Sequence, residues 1–155
     1  MKYLKFLIFI VPAFSLSACN TIDVFEKTAP IPLHEWSSHN PLSFTFQAKD
    51  SMAYYNIYFV LRHTEAYHFN NIWIDFTATF PGKKPQTQRF NLPLANGEGW
   101  IGTAMDDIVE QRVLLFNKPS KLDSGAYTFM VRQVMREEPL ENILNAGVRV
   151  EKVVR

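Results

Sequence analysis

After Ser43, apolar and polar residues alternate with a period of two along most of the chain. This alternation indicates β-strands with one face on a core and one face in water, because successive strand side chains point to opposite sides. The apolar positions predicted to face the core in the first three strands are Phe44, Phe46, Ala48, Tyr55, Ile57, Phe59, Leu61, Ile72, Ile74, Phe76, Ala78 and Phe80. Further strands are predicted over Gln86–Leu92, Tyr127–Val134 and Ala146–Val154.

Turn-forming residues separate these strands and help to define the fold. Asp50-Ser51, Asn70-Asn71 and Pro81-Gly82 are residue types that stabilise turns. The sequence Asp123-x-Gly125-x-Tyr127 resembles the tyrosine corner of immunoglobulin-like domains, in which the phenol hydroxyl bonds a nearby backbone group. We therefore predict an all-β fold, namely an antiparallel immunoglobulin-like β-sandwich of about seven strands.

One segment departs from the strand pattern. Met105–Arg112 is the best helical candidate, because it is bounded by a glycine-rich loop and carries Asp106 and Asp107 near its start, where the helix dipole favours acids. The same segment also fits a direct entry into a strand from Arg112 to Phe116. A short helix at 105–112 is the expectation to be tested.

The N-terminal segment has the pattern of an export signal. Lys2 and Lys5 precede an apolar run over 6–16, which is too short to cross a bilayer but has the length of a signal-peptide core. The following Leu16-Ser17-Ala18-Cys19 resembles the lipobox of bacterial lipoproteins, in which the cysteine is lipidated. An ordinary secretory signal with a chance cysteine is the alternative, but the single cysteine of the chain occupies the position that lipidation requires.

These features predict three regions. Residues 1–18 form a lipoprotein signal peptide, and residues 19–42 form a lipidated N-terminus and a proline-bearing tether. Residues 43–155 form the β-sandwich domain, which must fold in water because no second apolar segment of spanning length occurs. We expect a lipoprotein anchored in a membrane of the cell envelope, with its domain facing the periplasm.

Composition and motifs argue against several classes of function. The formal net charge is +1 without a basic stripe, so nucleic acid is not an expected partner. His63 and His68 flank a turn with Glu65 nearby, but two solvated loop histidines are the favoured interpretation. Asp106, Asp107 and Glu110 lack the loop spacing of a calcium site. We therefore predict no catalytic residues, no metal, no cofactor and no small-molecule substrate.

Two sets of residues are candidates for binding a partner. Tyr54, Tyr58 and Trp73 lie on faces predicted to point outward, where an aligned aromatic row suits a sugar or a protein surface. Cover by the N-terminal tether or by Met105–Arg112 is the alternative. The second set, Met135, Arg136, Pro139 and Leu140, combines residue types that are enriched in interfaces with an exposed Pro-Leu, although a plain loop has the same composition.

Ordered short segments connect the sequence with a known family. These segments are Tyr55-Asn56 with Tyr58, Leu61-Arg62, Asn71-Ile72-Trp73, Phe80-Pro81-Gly82, Pro93-Leu94-Ala95, Gly99-Trp100-Ile101-Gly102, Gly125-Ala126-Tyr127-Thr128-Phe129, Gln133 with Met135-Arg136, Pro139-Leu140 and Gly147-Val148-Arg149-Val150-Glu151-Lys152. In this order, over a short chain with a lipobox, they resemble GldH, the gliding motility lipoprotein family of the Bacteroidetes.

The resemblance implies a non-enzymatic envelope lipoprotein tied to gliding, which in this phylum shares machinery with type IX secretion. It transfers only Cys19, the lipidated position, as a functional residue. The leading hypothesis is an accessory lipoprotein that binds protein partners of the motility or secretion apparatus. The alternative is a glycan-binding envelope lipoprotein that uses the exposed aromatics.

Overall fold

The computed structural model describes residues 24–153, and these fold almost entirely into antiparallel strands. A single turn of 3-10 helix, Pro32–His34, interrupts them. No helix within this range is long and apolar enough to cross a membrane. The strands are β1 Val24–Pro30, β2 Glu35–Trp36, β3 Leu42–Ala48, β4 Tyr54–Thr64, β5 Asn71–Thr79, β6 Gln86–Pro93, β7 Ala95–Asn96, β8 Gly99–Trp100, β9 Thr103–Met105, β10 Ile108–Leu114, β11 Ser120–Lys121, β12 Gly125–Gln133, β13 Leu140–Glu141 and β14 Ile143–Lys152.

Two sheets form the layers of a sandwich. The first sheet has the order β1-β14-β4-β10-β9, with β11 paired to one end of β4, and the second sheet has the order β3-β12-β5-β6. Along its longer strands the chain crosses from one sheet to the other at every step except the β5–β6 hairpin and the short β9–β10 turn. This order is that of an eight-stranded jelly roll. The predicted antiparallel β-sandwich is confirmed, while the strand order differs from that of immunoglobulin domains.

The core lies between the inner faces of the two sheets and is rich in aromatic rings. All the positions predicted to face inward in β3, β4 and β5 are buried, and Phe80, just beyond β5, is half-buried. Phe76 and Phe129 stack with ring centroids 5.5 Å apart. The tyrosine corner is also present, because the Tyr127 hydroxyl donates to the Asp123 carbonyl oxygen at 2.9 Å. Packing of this kind stabilises the sandwich without a disulfide.

The N-terminal boundary of the domain differs from the prediction. Residues 24–30, assigned to the tether, pair with β14 along their whole length as the edge strand of the first sheet. Ile31 and Trp36 continue into the core, with 5% and 1% of their surface exposed. The sandwich therefore includes residues 24–42 and begins no later than Val24, instead of at Ser43.

The predicted short helix at 105–112 is wrong. Thr103–Met105 and Ile108–Leu114 form a hairpin, and Asp106-Asp107 is its turn, with Asp106 at a φ of +53°. Val109 and Gln111 point inward while Glu110 and Arg112 point outward, so the period is two, as in a strand. The acids that suggested a helix start are instead turn residues, for which aspartate is equally well suited.

Candidate functional site

The structure brings Trp73 together with two of the candidate residues from the C-terminal set. Trp73 lies on the outer face of the second sheet, with 40% of its surface exposed. Its backbone N–H donates to the sulfur of Met135 at 3.1 Å, and its carbonyl oxygen accepts from the N–H of Val134 at 2.9 Å. These contacts extend the pairing of β5 beyond the end of β12. The result is a shallow depression, here called the Trp73 groove, lined by Phe69, Asn71, Trp73, Arg89, Val134, Met135 and Arg136.

A cluster of ion pairs fixes the side chains on this outer face of the second sheet. Asp75 is 7% exposed and receives a two-point contact from Arg89, at 2.7 and 3.0 Å. Arg132 on β12 donates to the same carboxylate at 2.7 Å. Arg89, followed by Arg132, holds the pKa of Asp75 down at about 2. Since one carboxylate serves two guanidinium groups, the cluster is rigid and keeps a net positive charge.

Arg136 adds a further positive charge at the rim of the Trp73 groove. Its side chain is exposed, and within residues 24–153 it makes no ion pair. The groove therefore combines an exposed indole, a thioether and an unpaired guanidinium beside the Arg89–Asp75–Arg132 cluster. This arrangement suits a partner surface that presents apolar groups together with carboxylates.

The two tyrosines of the predicted aromatic row lie elsewhere. Tyr54 and Tyr58 project from β4 on the outer face of the first sheet, and both are half-buried. Trp73 projects from the opposite side of the sandwich. Thus the three residues form no common patch, and the glycan platform that requires all three is absent from the described structure.

Tyr58 instead belongs to a face that is held together by charge pairs. Arg149, its neighbour across the strands, contacts Glu26 on β1 at 2.9 Å and Glu151 at 3.0 Å. Arg112 on β10 also reaches Glu26, at 3.0 Å. Opposite charges along this face satisfy one another and tie β1 to the centre of the sheet. Further pairs join Glu110 to Arg62 and Arg112.

Pro139 and Leu140 have different environments. Leu140 is completely buried and pairs with Trp36 between β13 and β2, so it is a core residue and cannot contact a partner. Pro139 follows a cis peptide bond and is half-buried. The neighbouring Glu138 accepts from the Ser37 hydroxyl at 2.6 Å and from the Ser38 N–H at 3.0 Å, which lowers its pKa to about 2. This loop is thus fastened to the N-terminal part of the domain.

The candidate metal ligands are also rearranged. His63 is fully buried and hydrogen-bonded to Gln111, so it does not meet His68. His68 instead lies beside Glu137, with Nδ1 3.1 Å from Oε2. Glu110 lies on a strand and pairs with Arg62 and Arg112, whereas Asp106 and Asp107 lie in the turn before it. Glu110 therefore has a different role from the two turn residues.

Sequence reasoning missed Asp75, Arg89 and Phe69 as parts of the candidate site. Asp75 and Arg89 are direct neighbours in the β5–β6 register, two positions from Trp73 and Asn91. This pair could have been predicted from the outward-facing positions of the two strands, since opposite charges commonly face each other across a hairpin. Phe69 lies in a loop without periodicity and gave no signal.

The predicted lipidation site, Cys19, and the signal peptide lie outside the described residues. No solved structure matches the sequence. Two curated relatives cover nearly its whole length. One is a gliding motility lipoprotein GldH homolog of Christiangramia forsetii, which is 28% identical over an alignment of 155 positions. The alignment covers 94% of this chain and 93% of that protein.

The other relative is the gliding motility lipoprotein GldH of Flavobacterium johnsoniae. It is 26% identical over 153 residues, and the match covers 94% of each chain. In addition, the family described as GldH lipoprotein matches residues 23–150, a range that includes β1 to β13 and most of β14. The chain therefore belongs to the GldH lipoprotein family.

Proposed function

We propose that this protein is a membrane-anchored, non-catalytic component of the gliding motility and secretion-linked envelope machinery, and that it binds a protein partner through the Trp73 groove. The observation that carries the proposal is the convergence of Trp73, Met135 and Arg136 from separate parts of the chain on one exposed surface. Lipid on Cys19 would hold the domain at the periplasmic face of an envelope membrane.

The composition of the groove supports a protein partner. Tryptophan and arginine are the residue types most enriched at binding hot spots, and methionine is enriched in interface cores. The indole of Trp73 offers apolar area, and Arg136 offers a charge that no described side chain neutralises. A partner segment with an apolar side chain and neighbouring carboxylates matches both features.

The buried polar side chains support a non-catalytic role, because their hydrogen bonds serve the fold. Gln133 donates to the carbonyl oxygen of Trp36 at 3.1 Å and accepts from the N–H of Met135 at 2.8 Å. Asp75 is occupied by two arginines. His63 and Gln111 bond to each other inside the core. Each of these side chains is therefore engaged in hydrogen bonds within the fold.

Crosslinking of the full-length protein in native membranes tests the proposal. A tagged chromosomal copy is crosslinked and purified, and the captured proteins are identified by mass spectrometry. We expect a motility or secretion component with the unchanged protein. Trp73→Ala and Arg136→Glu are each expected to reduce its recovery by about tenfold or more, since hot-spot residues contribute about 2 kcal/mol or more.

Tyr58→Ala is the matched control, because Tyr58 is an outward aromatic residue on the opposite sheet. Recovery of the partner should be unchanged in this variant. Equal recovery with Trp73→Ala and Tyr58→Ala would reject the groove as the binding surface. Recovery of no motility or secretion component from any version would reject the proposed function itself.

A further inference from the structure

His68, Glu137 and Glu141 place one ligand atom each within 4.8 Å of one another. The three residues come from the loop between β4 and β5, from the loop after β12, and from β13. We propose that they form a binding site for a divalent transition-metal cation, with zinc as the representative ion. An imidazole with two carboxylates is a donor set that such ions accept, with water completing the coordination.

The backbone around the three ligands is already fixed. Asn142, next to Glu141, connects that segment to the loop that carries His68. Its carbonyl oxygen accepts from the N–H of Thr64 at 3.0 Å, and its side-chain amide donates to the carbonyl oxygen of Ala66 at 3.2 Å. Tyr67, next to His68, is buried, and its hydroxyl donates to the carbonyl oxygen of Asn71 at 3.0 Å. Ligand residues on a backbone that is fixed in this way lose little conformational freedom when an ion binds.

The distances are close to those of a tetrahedral site. Nδ1 of His68 lies 3.1 Å from Oε2 of Glu137. Two ligand atoms at about 2.0–2.1 Å from a tetrahedral zinc ion are about 3.4 Å apart, so this pair already has nearly the required separation. The Glu141 ligand atom lies within 4.8 Å of the other two, and side-chain rotation can bring it closer because Glu141 lies on the surface.

The charges also favour a cation. Neither Glu137 nor Glu141 pairs with a lysine or an arginine within residues 24–153. His68 is the basic group that contacts Glu137. A divalent ion would balance the charges of the two carboxylates.

The ion would stabilise the walls of the Trp73 groove. Phe69 follows His68 and Arg136 precedes Glu137 in the sequence, and both line the groove. A bond from His68 through the ion to Glu137 and Glu141 would join the loop that carries Phe69 to the loop that carries Arg136. The metal site stands independently of the proposed function, since it does not require that the groove bind a protein.

Calorimetric titration of the full-length protein in detergent with zinc chloride tests this inference. We expect one high-affinity ion per chain and an increase in the thermal midpoint on saturation, because the ion binds only the folded state. His68→Ala and Glu141→Gln should each weaken the affinity by about tenfold or more. Calcium, which prefers six to eight oxygen ligands, should bind much more weakly.

His39→Ala is the matched control. His39 is also an exposed histidine beside a carboxylate, 3.6 Å from Glu138, but it has no second carboxylate in a comparable position. Zinc affinity should be unchanged in this variant. Zinc binding that is equal in the unchanged protein and in His68→Ala would overturn the inference, as would the absence of any saturable binding. Circular dichroism of each variant verifies that the fold is retained.

Discussion

His63 has no exposed surface, and both nitrogens of its ring are hydrogen-bonded. Nδ1 lies 2.8 Å from the carbonyl oxygen of Thr64, which can only accept, so Nδ1 carries the proton. Nε2 then accepts from the side-chain amide of Gln111, 3.2 Å away. That amide nitrogen also donates to the carbonyl oxygen of Leu94 at 2.9 Å. Only the neutral ring fits this environment, and burial lowers the pKa of His63.

We therefore expect the free energy of unfolding to fall as the pH is lowered from about 8 to about 5. The unfolded chain takes up a proton on His63 near the ordinary histidine pKa of 6.5, whereas the folded protein does so only at a lower pH. The unfolded state binds more protons in this range, so stability is complete above about pH 6.5 and decreases toward the folded pKa. Urea unfolding at several pH values measures the effect.

His63→Gln should show a flatter pH dependence than the unchanged protein, because it removes the titrating imidazole. Asp75 and Glu138 have pKa values of about 2, so the stability that they contribute decreases at more acidic pH, where their carboxylates become protonated. Parallel curves for His63→Gln and the unchanged protein would contradict the assignment to His63.

Leu140 illustrates a residue whose environment could not be predicted from its neighbours. It follows two glutamates and a proline, which indicated an exposed loop. Its burial depends on Trp36, about a hundred residues earlier, which pairs with it in a two-stranded sheet. Trp73 and Met135 meet in the same way, through a contact between distant segments. The local pattern of apolar and polar residues gives no information on contacts between distant segments. The sequence therefore identified the candidate residues but not which of them lie together.

The position of β1 depends on one place where the backbone of β14 lies very close to that of β1. Gly147 on β14 pairs with Thr28, and a Cβ at position 147 would lie 2.1 Å from the Lys27 carbonyl oxygen and 2.6 Å from the Thr28 Cα. Both are backbone atoms, which cannot rotate away. Glycine at this position therefore allows the edge strand to lie against the sheet.

Gly147→Ala is expected to displace β1 and to lower the free energy of unfolding by about 1–3 kcal/mol, the usual cost of overpacking. Hydrogen exchange should accelerate in Val24–Pro30 more than in the second sheet. Gly97→Ala is the control, because a Cβ at Gly97 meets no atom within 4 Å. Protection of β1 that is equal in both variants would show that the close approach is unimportant.

Elements differ in how far their sequence determines them. β3, β4, β5 and β12 have one apolar face and one polar face, and this alternation was sufficient to predict them. β1 carries proline and threonine and lies at an edge, where partial exposure weakens the pattern. β10 buries the polar residue Gln111, which concealed its period of two. Among the longer strands, β1 and the first part of β10 were therefore the ones that the sequence did not predict.

The strand order of the whole molecule decides which surfaces can act together. β4 and β5 are consecutive in the chain but lie in opposite sheets, so Tyr58 and Trp73 face away from each other. β5 and β12 are adjacent in the second sheet, which places Met135 and Arg136 beside Trp73. Crossover order is a global property, and the alternation of residues within each strand does not specify it.

The start of β1 at Val24 also limits how far the domain can lie from its proposed anchor. Val24 follows Cys19 by five residues, and a fully extended chain spans at most about 3.6 Å per residue. The first strand thus begins within about 18 Å of the predicted lipidation site, Cys19. With lipid on Cys19, this short connection would keep the domain beside the membrane.

We expect the unchanged protein to incorporate an alkyne-tagged fatty acid during growth, and Cys19→Ala to lose this label because it lacks the thiol that forms the thioether. The variant should also be extracted from membranes by alkaline washing, since its apolar N-terminal run is too short to span a bilayer stably. Ser15→Ala, which changes the same segment outside the lipobox, should remain labelled and membrane-bound. Labelling of Cys19→Ala equal to that of the unchanged protein would exclude Cys19 as the anchor, and with it the close positioning of the domain at the membrane.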